Sequence, residues 1–265
     1  MRDKGLVKTK KFGDFTYLGD PINAVKVFNE KGVDELIVLD IDASVHGREP
    51  DYEIIEALAR GARMPVCYGG GIQSAKQAEK IIGFGIEKVA VSSAAISDPS
   101  LISNLARAIG GQSVVAVLDI KKGLTGGHSV YVHNGQKRVK QNWLEIALEF
   151  ERNGAGEITL NSIDRDGMMT GFDLKVIEEL RRNVNVPITA IGGAGKFEDL
   201  LDLVERTGVV GAGVGSFFLF RGAYNAFLIS YVDETQKQQL ADASRAAISK
   251  KWAECSYRPA PTPIL

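Results

Sequence analysis

Asp119 closes the apolar run VVAVLD at residues 114–119. A carboxylate that ends a buried strand stands at the rim where binding loops begin, so it is a candidate general acid or base. Asp40, Asp42, Asp164 and Asp166 end strand-like runs as well. So many cannot all be catalytic, and some must anchor loops and lysines. Two glycine-rich turns, Tyr68-Gly69-Gly70-Gly71-Ile72 and Ala190-Ile191-Gly192-Gly193-Ala194, each follow a strand and precede a helix. Glycine there lets backbone N–H groups converge on an anion, and the helix N-terminus adds a favourable dipole. Glycine also serves tight turns that bind nothing, so recurrence at one spacing is what favours phosphate. Ser92-Ser93 and Gly215-Ser216 follow the next strand in each half and can add donors. At the opposite strand ends, Glu35, Lys88 and Glu157 put charge where structural residues are usual. Unpaired buried charge is costly, so the three should pair internally, as a plug or a gate.

The elements that position these residues are short. Apolar runs at 35–40, 65–68, 88–92, 114–119, 157–161, 187–191 and 209–214 alternate with amphipathic patterns such as Ile54-Ile55-Leu58, Ala78-Ile81-Ile82 and Val176-Ile177-Leu180. Near-continuous apolar strands alternating with helices predict an α/β fold with parallel strands buried on both faces. The chain also repeats itself. Gly32 pairs with Gly154, Pro65 with Pro187 and Gly71 with Gly193, each 122 residues apart. Two equivalent halves predict a (β/α)8 TIM barrel of two half-barrel repeats with one phosphate per half. A doubly wound open sheet is the competitor, and it explains neither the repeat nor the polar strand ends. Seven strands are visible. The partner of the 114–119 strand falls before residue 1, since 119 − 122 is −3, so the first strand is expected to be missing. Two unpaired strand edges would then invite aggregation.

Of 265 residues, 45% are hydrophobic and 25% charged, with a net charge of −1. Both signs are dispersed, which argues against nucleic acid. No apolar run reaches the roughly 18 residues a membrane span requires, and no signal-peptide pattern opens the chain. A cytoplasmic location is expected. Cys67 and Cys255 fit no CxxC or zinc spacing and read as reduced thiols. His46, His128 and His133 show no metal-ligand spacing, so neither metal nor cofactor is assigned. Residues 1–232 read as the barrel. Residues 233–265 read as a polar C-terminal helix and a Pro-rich tail.

The segments DELIVLDIDAS (34–44), VCYGGGI (66–72), VVAVLDIKK (114–122), GAGEITLNSIDRDGMMTGFD (154–173) and ITAIGGAGK (188–196) resemble the cyclase subunit of imidazole glycerol phosphate synthase. The sister isomerase barrel of the same pathway is the lesser match. The resemblance covers roughly residues 3–232. It implies a lyase of histidine biosynthesis that takes glutamine-derived ammonia through the barrel. The ammonia would convert a bisphosphate ribonucleotide to imidazole glycerol phosphate and an aminoimidazole carboxamide ribonucleotide. It further implies a glutaminase partner docked at the bottom face as a heterodimer, an ammonia gate of Glu35, Lys88 and Glu157, and Asp119 as the fifth-strand acid or base. The first-strand aspartate and the gate arginine of that family have no match. Lys8 matches the lysine of a mobile active-site loop, and Asp166 and Gly167 join Gly70, Gly71, Ser92, Ser93, Gly192, Gly193, Gly215 and Ser216 as phosphate-binding positions.

Departures from the family pattern open a second reading. Ser92-Ser93 stand for Asn-Thr, Ile191 for a serine, and Asn161 and Met168 for threonines. Each lost donor would weaken phosphate binding by about 1–2 kcal/mol. The chain is also similar to a paralogous group that accompanies a sugar amidotransferase in acetamidino-sugar synthesis for surface polysaccharides. There the barrel conducts ammonia from its glutaminase with little or no cyclase chemistry.

Overall fold

The computed structural model describes residues 1–123, 126–221 and 226–256. The chain opens with a hairpin of β1 (Leu6–Thr9) and β2 (Phe15–Gly19), followed by α1 (Pro21–Lys31). The first half of the wall then runs β3 (Leu36–Leu39), α2 (Tyr52–Gly61), β4 (Val66–Gly69), α3 (Ala75–Gly83), β5 (Lys88–Val91), α4 (Ser93–Ser97) and α5 (Ser100–Ile109). The second half begins with β6 (Val114–Lys122), whose end pairs with an excursion of β7 (His128–Val132) and β8 (Lys137–Arg138). It continues through α6 (Trp143–Arg152), β9 (Glu157–Ser162), α7 (Leu174–Asn183), β10 (Ile188–Ile191), α8 (Phe197–Thr207), β11 (Gly211–Gly213) and α9 (Ser216–Leu219). A small hairpin of β12 (Phe220–Arg221) and β13 (Ala226–Phe227) leads to α10 (Glu234–Ser256), and α10 packs on α8. The Pro-rich tail expected after it lies outside the described residues.

Seven parallel strands form one wall in the order β11-β10-β9-β6-β5-β4-β3. Residues of both end strands line one central cavity, so the wall curls into a nearly closed TIM-type barrel. Each strand differs from its sequence-predicted limits by a residue or more. The largest shortening is the last, where 209–214 shrinks to Gly211–Gly213. A Cβ on Gly211 would lie 2.1 Å from Thr189 Oγ1, so inward side chains of β10 leave room only for bare backbone, and Val209 before it is 67% exposed.

Between β11 and β3 no strand pairing is present among the described residues. Two other contacts cross or border that seam. At its top, the Met1 amino group donates to Leu39 O and Ile41 N donates to Met1 O at 3.1 Å, which puts Met1 in parallel register beside the end of β3. At its bottom, Tyr231 Oη donates to Asp34 Oδ2 at 2.8 Å and Lys237 Nζ lies 3.5 Å from Asp34 Oδ1.

Local sequence explains the helices. Asp20 caps α1 by accepting from Asn23 N at 2.9 Å, Pro21 pre-sets its first turn, and Gly32 ends it in the left-handed region. Ser74 and Gln77 form a capping box at α3. Each helix buries one stripe, such as Ile55 and Leu58 of α2 or Val176, Ile177 and Leu180 of α7, against the outer face of the wall. Burying one aliphatic side chain contributes about 1.5–3 kcal/mol, so the layer between wall and helices dominates stability.

Candidate active site

Alternation along the strands sends every second residue into the lumen. On β9 these are Glu157, Thr159 and Asn161, and on β6 they are Val115, Val117 and Asp119. A cavity of about 1250 Å³ runs from Glu35, Glu157 and Thr189 at the bottom to Asp119, Lys8, Gly70, Ser92 and Gly215 at the top, and at the seam between β3 and β11 it reaches Phe28 of α1, Val204 of α8 and Leu240 of α10.

Asp119 is half-buried at the top of the lumen. Burial is the largest influence on its carboxyl and pushes it up to about 6. Hydrogen bonding from Asn161 opposes the shift, with Nδ2 donating to Oδ1 at 2.9 Å, and the Asp166 charge adds to it. Ser92 also approaches the carboxylate and opposes the shift, although its buried hydroxyl completes no well-formed hydrogen bond. The result is a carboxyl that exchanges a proton near neutrality. Three other carboxylates on the upper cavity wall are committed, Asp98 by accepting from Ser100 N and Oγ. Asp40 accepts from Asp42 N and Ala43 N at 3.1 and 3.2 Å, while Asp166 binds Lys8 Nζ and accepts from Thr9 Oγ1 at 2.6 Å.

That last contact holds Lys8 against the rim in this structure. The segment read as a mobile loop forms the β1–β2 hairpin, because Leu6-Val7-Lys8-Thr9 and Phe15-Thr16-Tyr17-Leu18 can pair across a tight turn at Lys10–Asp14. The hairpin lies over the second half of the rim. Lys11 N donates to Asp166 O at 2.9 Å, and Lys8 Cε would lie 3.2 Å from a Cβ on Gly215. Lys8, Asp166 and Gly215 therefore meet. Gly167 packs under Thr9, where a Cβ would come within 2.3 Å of Thr9 O.

The first half is covered by the second excursion. His133 N donates to Ser93 Oγ at 2.9 Å, and His133 Nδ1 lies 3.2 Å from Ser44 O, so Nδ1 carries the proton and Nε2 is left free of that contact. His133 and Asn134 line the cavity beside Gly70, Gly71, Ser92 and Ser93. Sequence reasoning missed His133 as a site residue. The signal was available: Asn134-Gly135 between alternating runs is a hairpin turn, and such a turn after Asp119 must return over the rim.

The paired glycines have a packing reason of their own. A Cβ on Gly71 would meet Arg48 O at 2.5 Å, and one on Gly193 would meet Gly171 O at 2.1 Å, with φ of +75° and +119°. The two glycines stand 122 residues apart and the carbonyls they meet 123 apart (171 − 48), so each half presses its glycine turn against the preceding loop. Gly192, Gly193, Gly167 and Ser216 are not among the residues that face the cavity, whereas Gly70, Gly71, Ser92, Ser93 and Gly215 are.

At the bottom, Lys88 Nζ stands 3.0 Å from both Glu35 Oε2 and Glu157 Oε2, and Thr189 Oγ1 donates to Glu157 Oε1 at 2.6 Å. Burial works against the Lys88 ammonium, but the two carboxylates outweigh it and hold its pKa above the usual range. The ammonium stays charged through neutral pH.

These features define a nearly closed parallel (β/α) barrel of two related halves, with an ionisable carboxyl at the top of its lumen and a charged cluster at the bottom. The chain belongs to the histidine biosynthesis protein family, whose model matches residues 1–224. It is 53% identical over 233 residues, 88% of this chain and 93% of the relative, to a Pseudomonas aeruginosa protein with the provisional name imidazole glycerol phosphate synthase subunit hisF2. A provisionally named HisF subunit of Leptospira interrogans is 50% identical over 240 residues, 89% of this chain and 93% of its own length. The imidazole glycerol phosphate synthase subunit HisF of Streptococcus sanguinis is 38% identical over 218 residues, 82% of this chain and 86% of its own. Among the described residues no helix is long and apolar enough to cross a membrane.

Proposed function

We propose that the protein is the synthase subunit of an imidazole glycerol phosphate synthase-type complex. It receives ammonia from a glutaminase subunit at its bottom face and delivers it to a bisphosphate ribonucleotide at the top. The observation that carries this reading is one cavity lined by Glu35 and Glu157, the two partners of Lys88, at one end and by Asp119 at the other. A carboxyl poised near neutrality suits the proton transfers that follow attack by ammonia. Gly70, Gly71, Ser92 and Ser93 would hold one phosphate. Gly215, Ser216 and the N–H groups near Gly192 would hold the other once the Lys8–Asp166 contact opens. Ammonia carried along this lumen stays unprotonated only where bulk water is kept out, so the reading calls for the seam between β3 and β11 to be covered during transfer. The test is ammonia-dependent turnover of the histidine-pathway bisphosphate by purified protein, followed by glutamine-dependent turnover with the partner added. No turnover under either condition rejects the reading.

A second reading is favoured by one observation. Of eight relatives compared, the four with provisional names are 47–53% identical to this chain and the four named HisF without reserve are 36–38% identical. On this reading the barrel conducts ammonia for a sugar amidotransferase. Activation of a glutaminase without turnover of the bisphosphate would select it.

A further inference from the structure

The lumen has two unlike walls. Ile37, Leu39, Cys67, Ala90, Val115 and Val117 form an apolar face. The other face is polar: Glu157 and Asn161 of β9 and Thr189 of β10 line the cavity, and Thr159 lies between Glu157 and Asn161 on the same face of β9, in register with Thr189. Most of these groups satisfy one another: Thr189 bonds Glu157, and Asn161 Nδ2 donates to Asp119. An ionised carboxylate only accepts, so the Asn161 amide is fixed with Oδ1 turned away from Asp119. Two atoms are left over. Thr159 Oγ1 and Asn161 Oδ1 are buried with no hydrogen-bond partner among the protein's own described groups, in residues only 2% and 5% exposed. Buried polar atoms are nearly always partnered.

We propose that Thr159 and Asn161 form a binding site for a small uncharged hydrogen-bonding guest, ammonia or water, between the bottom charged cluster and Asp119. The inference deepens the conduit reading and rests on it. Asn161 Oδ1 accepts a hydrogen bond from the guest, and Thr159 Oγ1 can donate or accept. The two residues lie two apart on β9, about 6.6 Å along the strand, a span that one guest or a file of two covers. Neither atom carries a net charge, so the pair favours neutral ammonia over ammonium. The apolar wall opposite offers no competing partner and confines the guest to the β9 side.

Thr159→Val keeps the side-chain shape and removes the hydroxyl. High-resolution crystal structures of the full chain should show an ordered atom within hydrogen-bond reach of Thr159 Oγ1 and Asn161 Oδ1, and T159V should lose it. In the complex with the glutaminase subunit, T159V should lower the ratio of glutamine-dependent to ammonium-salt-dependent turnover about fivefold, the factor one net hydrogen bond carries. An ordered site with an unchanged ratio supports the site and assigns its guest as water. No ordered atom and an unchanged ratio overturn the proposal. An ordered site in a protein that neither turns over nor activates a glutaminase sinks the conduit reading and leaves the site standing.

Discussion

Ionising Asp119 takes charge out of water that Asn161 and Ser92 only partly replace, and the consequence is measurable. Its carboxyl is raised to about 6 in the folded chain, so the folded state binds the proton more tightly than the unfolded chain does. Its contribution to stability is therefore fully present below about pH 4 and is lost as pH rises through about 6. Asp119→Asn should stabilise the protein by about 1–2 kcal/mol at pH 8. This is less than the whole displacement of the carboxyl implies, because the side chain still meets the cavity. The gain should vanish near pH 4, and urea unfolding at both pH values checks it. The same substitution should lower ammonia-dependent turnover by roughly 10²–10⁴-fold, the usual contribution of a positioned acid or base. A stabilised variant with undiminished turnover would remove Asp119 from the chemistry while leaving its electrostatics intact.

Hairpins and turns set the next scale. The β1–β2 hairpin is fastened to the second half by Asp166, which holds Lys8 and Thr9 at once. Asp166→Asn removes the charge and keeps the shape, and should cost about 1–2 kcal/mol of hairpin docking. Limited proteolysis within residues 8–16 should accelerate several-fold while the barrel strands stay protected. The glycine turns test a different cost. Gly193→Ala places a Cβ against Gly171 O in a backbone conformation that side chains rarely adopt, and should destabilise by about 2–4 kcal/mol. A melting temperature within a degree of wild type would show that the Gly171 loop yields freely, and the packing account of these turns would then fail.

The whole molecule is a barrel with one seam. Tyr231 and Lys237 clasp the Asp34 turn at its bottom, and Met1 continues the ladder of β3 at its top. Between them the edges of β3 and β11 lack a strand partner among the described residues, whereas β6 and β9 pair over six registered positions. Hydrogen exchange should therefore be fastest in 36–39 and 211–213 and slowest in 115–119 and 158–161, because edge amides open without breaking a second ladder. Equal protection across the wall would mean that something covers the seam in solution. Tyr231→Phe removes the hydroxyl that donates to Asp34 Oδ2 and accepts from Asp34 N, at a cost of about 0.5–1.5 kcal/mol at this partly exposed site, and should speed exchange at 33–39 before it affects β9.

The α/β alternation, the seven parallel strands, the repeat and the charged trio Glu35, Lys88 and Glu157 were all legible in the chain before any fold was known. Strand periodicity and a constant 122-residue offset are local properties of the chain, and inward-facing charge at a strand start stands out against apolar neighbours. Asp119 was legible as a strand-end carboxylate, but nothing local set its pKa. That required Asn161, 42 residues on, and the burial the lumen imposes. Tertiary structure alone showed that Lys8 and Asp166 neutralise each other, that His133 returns over Ser93, and that Gly71 and Gly193 are held by neighbouring loops as well as by any ligand. Each of these depends on two segments far apart in sequence reaching one point. Periodicity records which face a residue presents, and only the closed fold decides what that face meets.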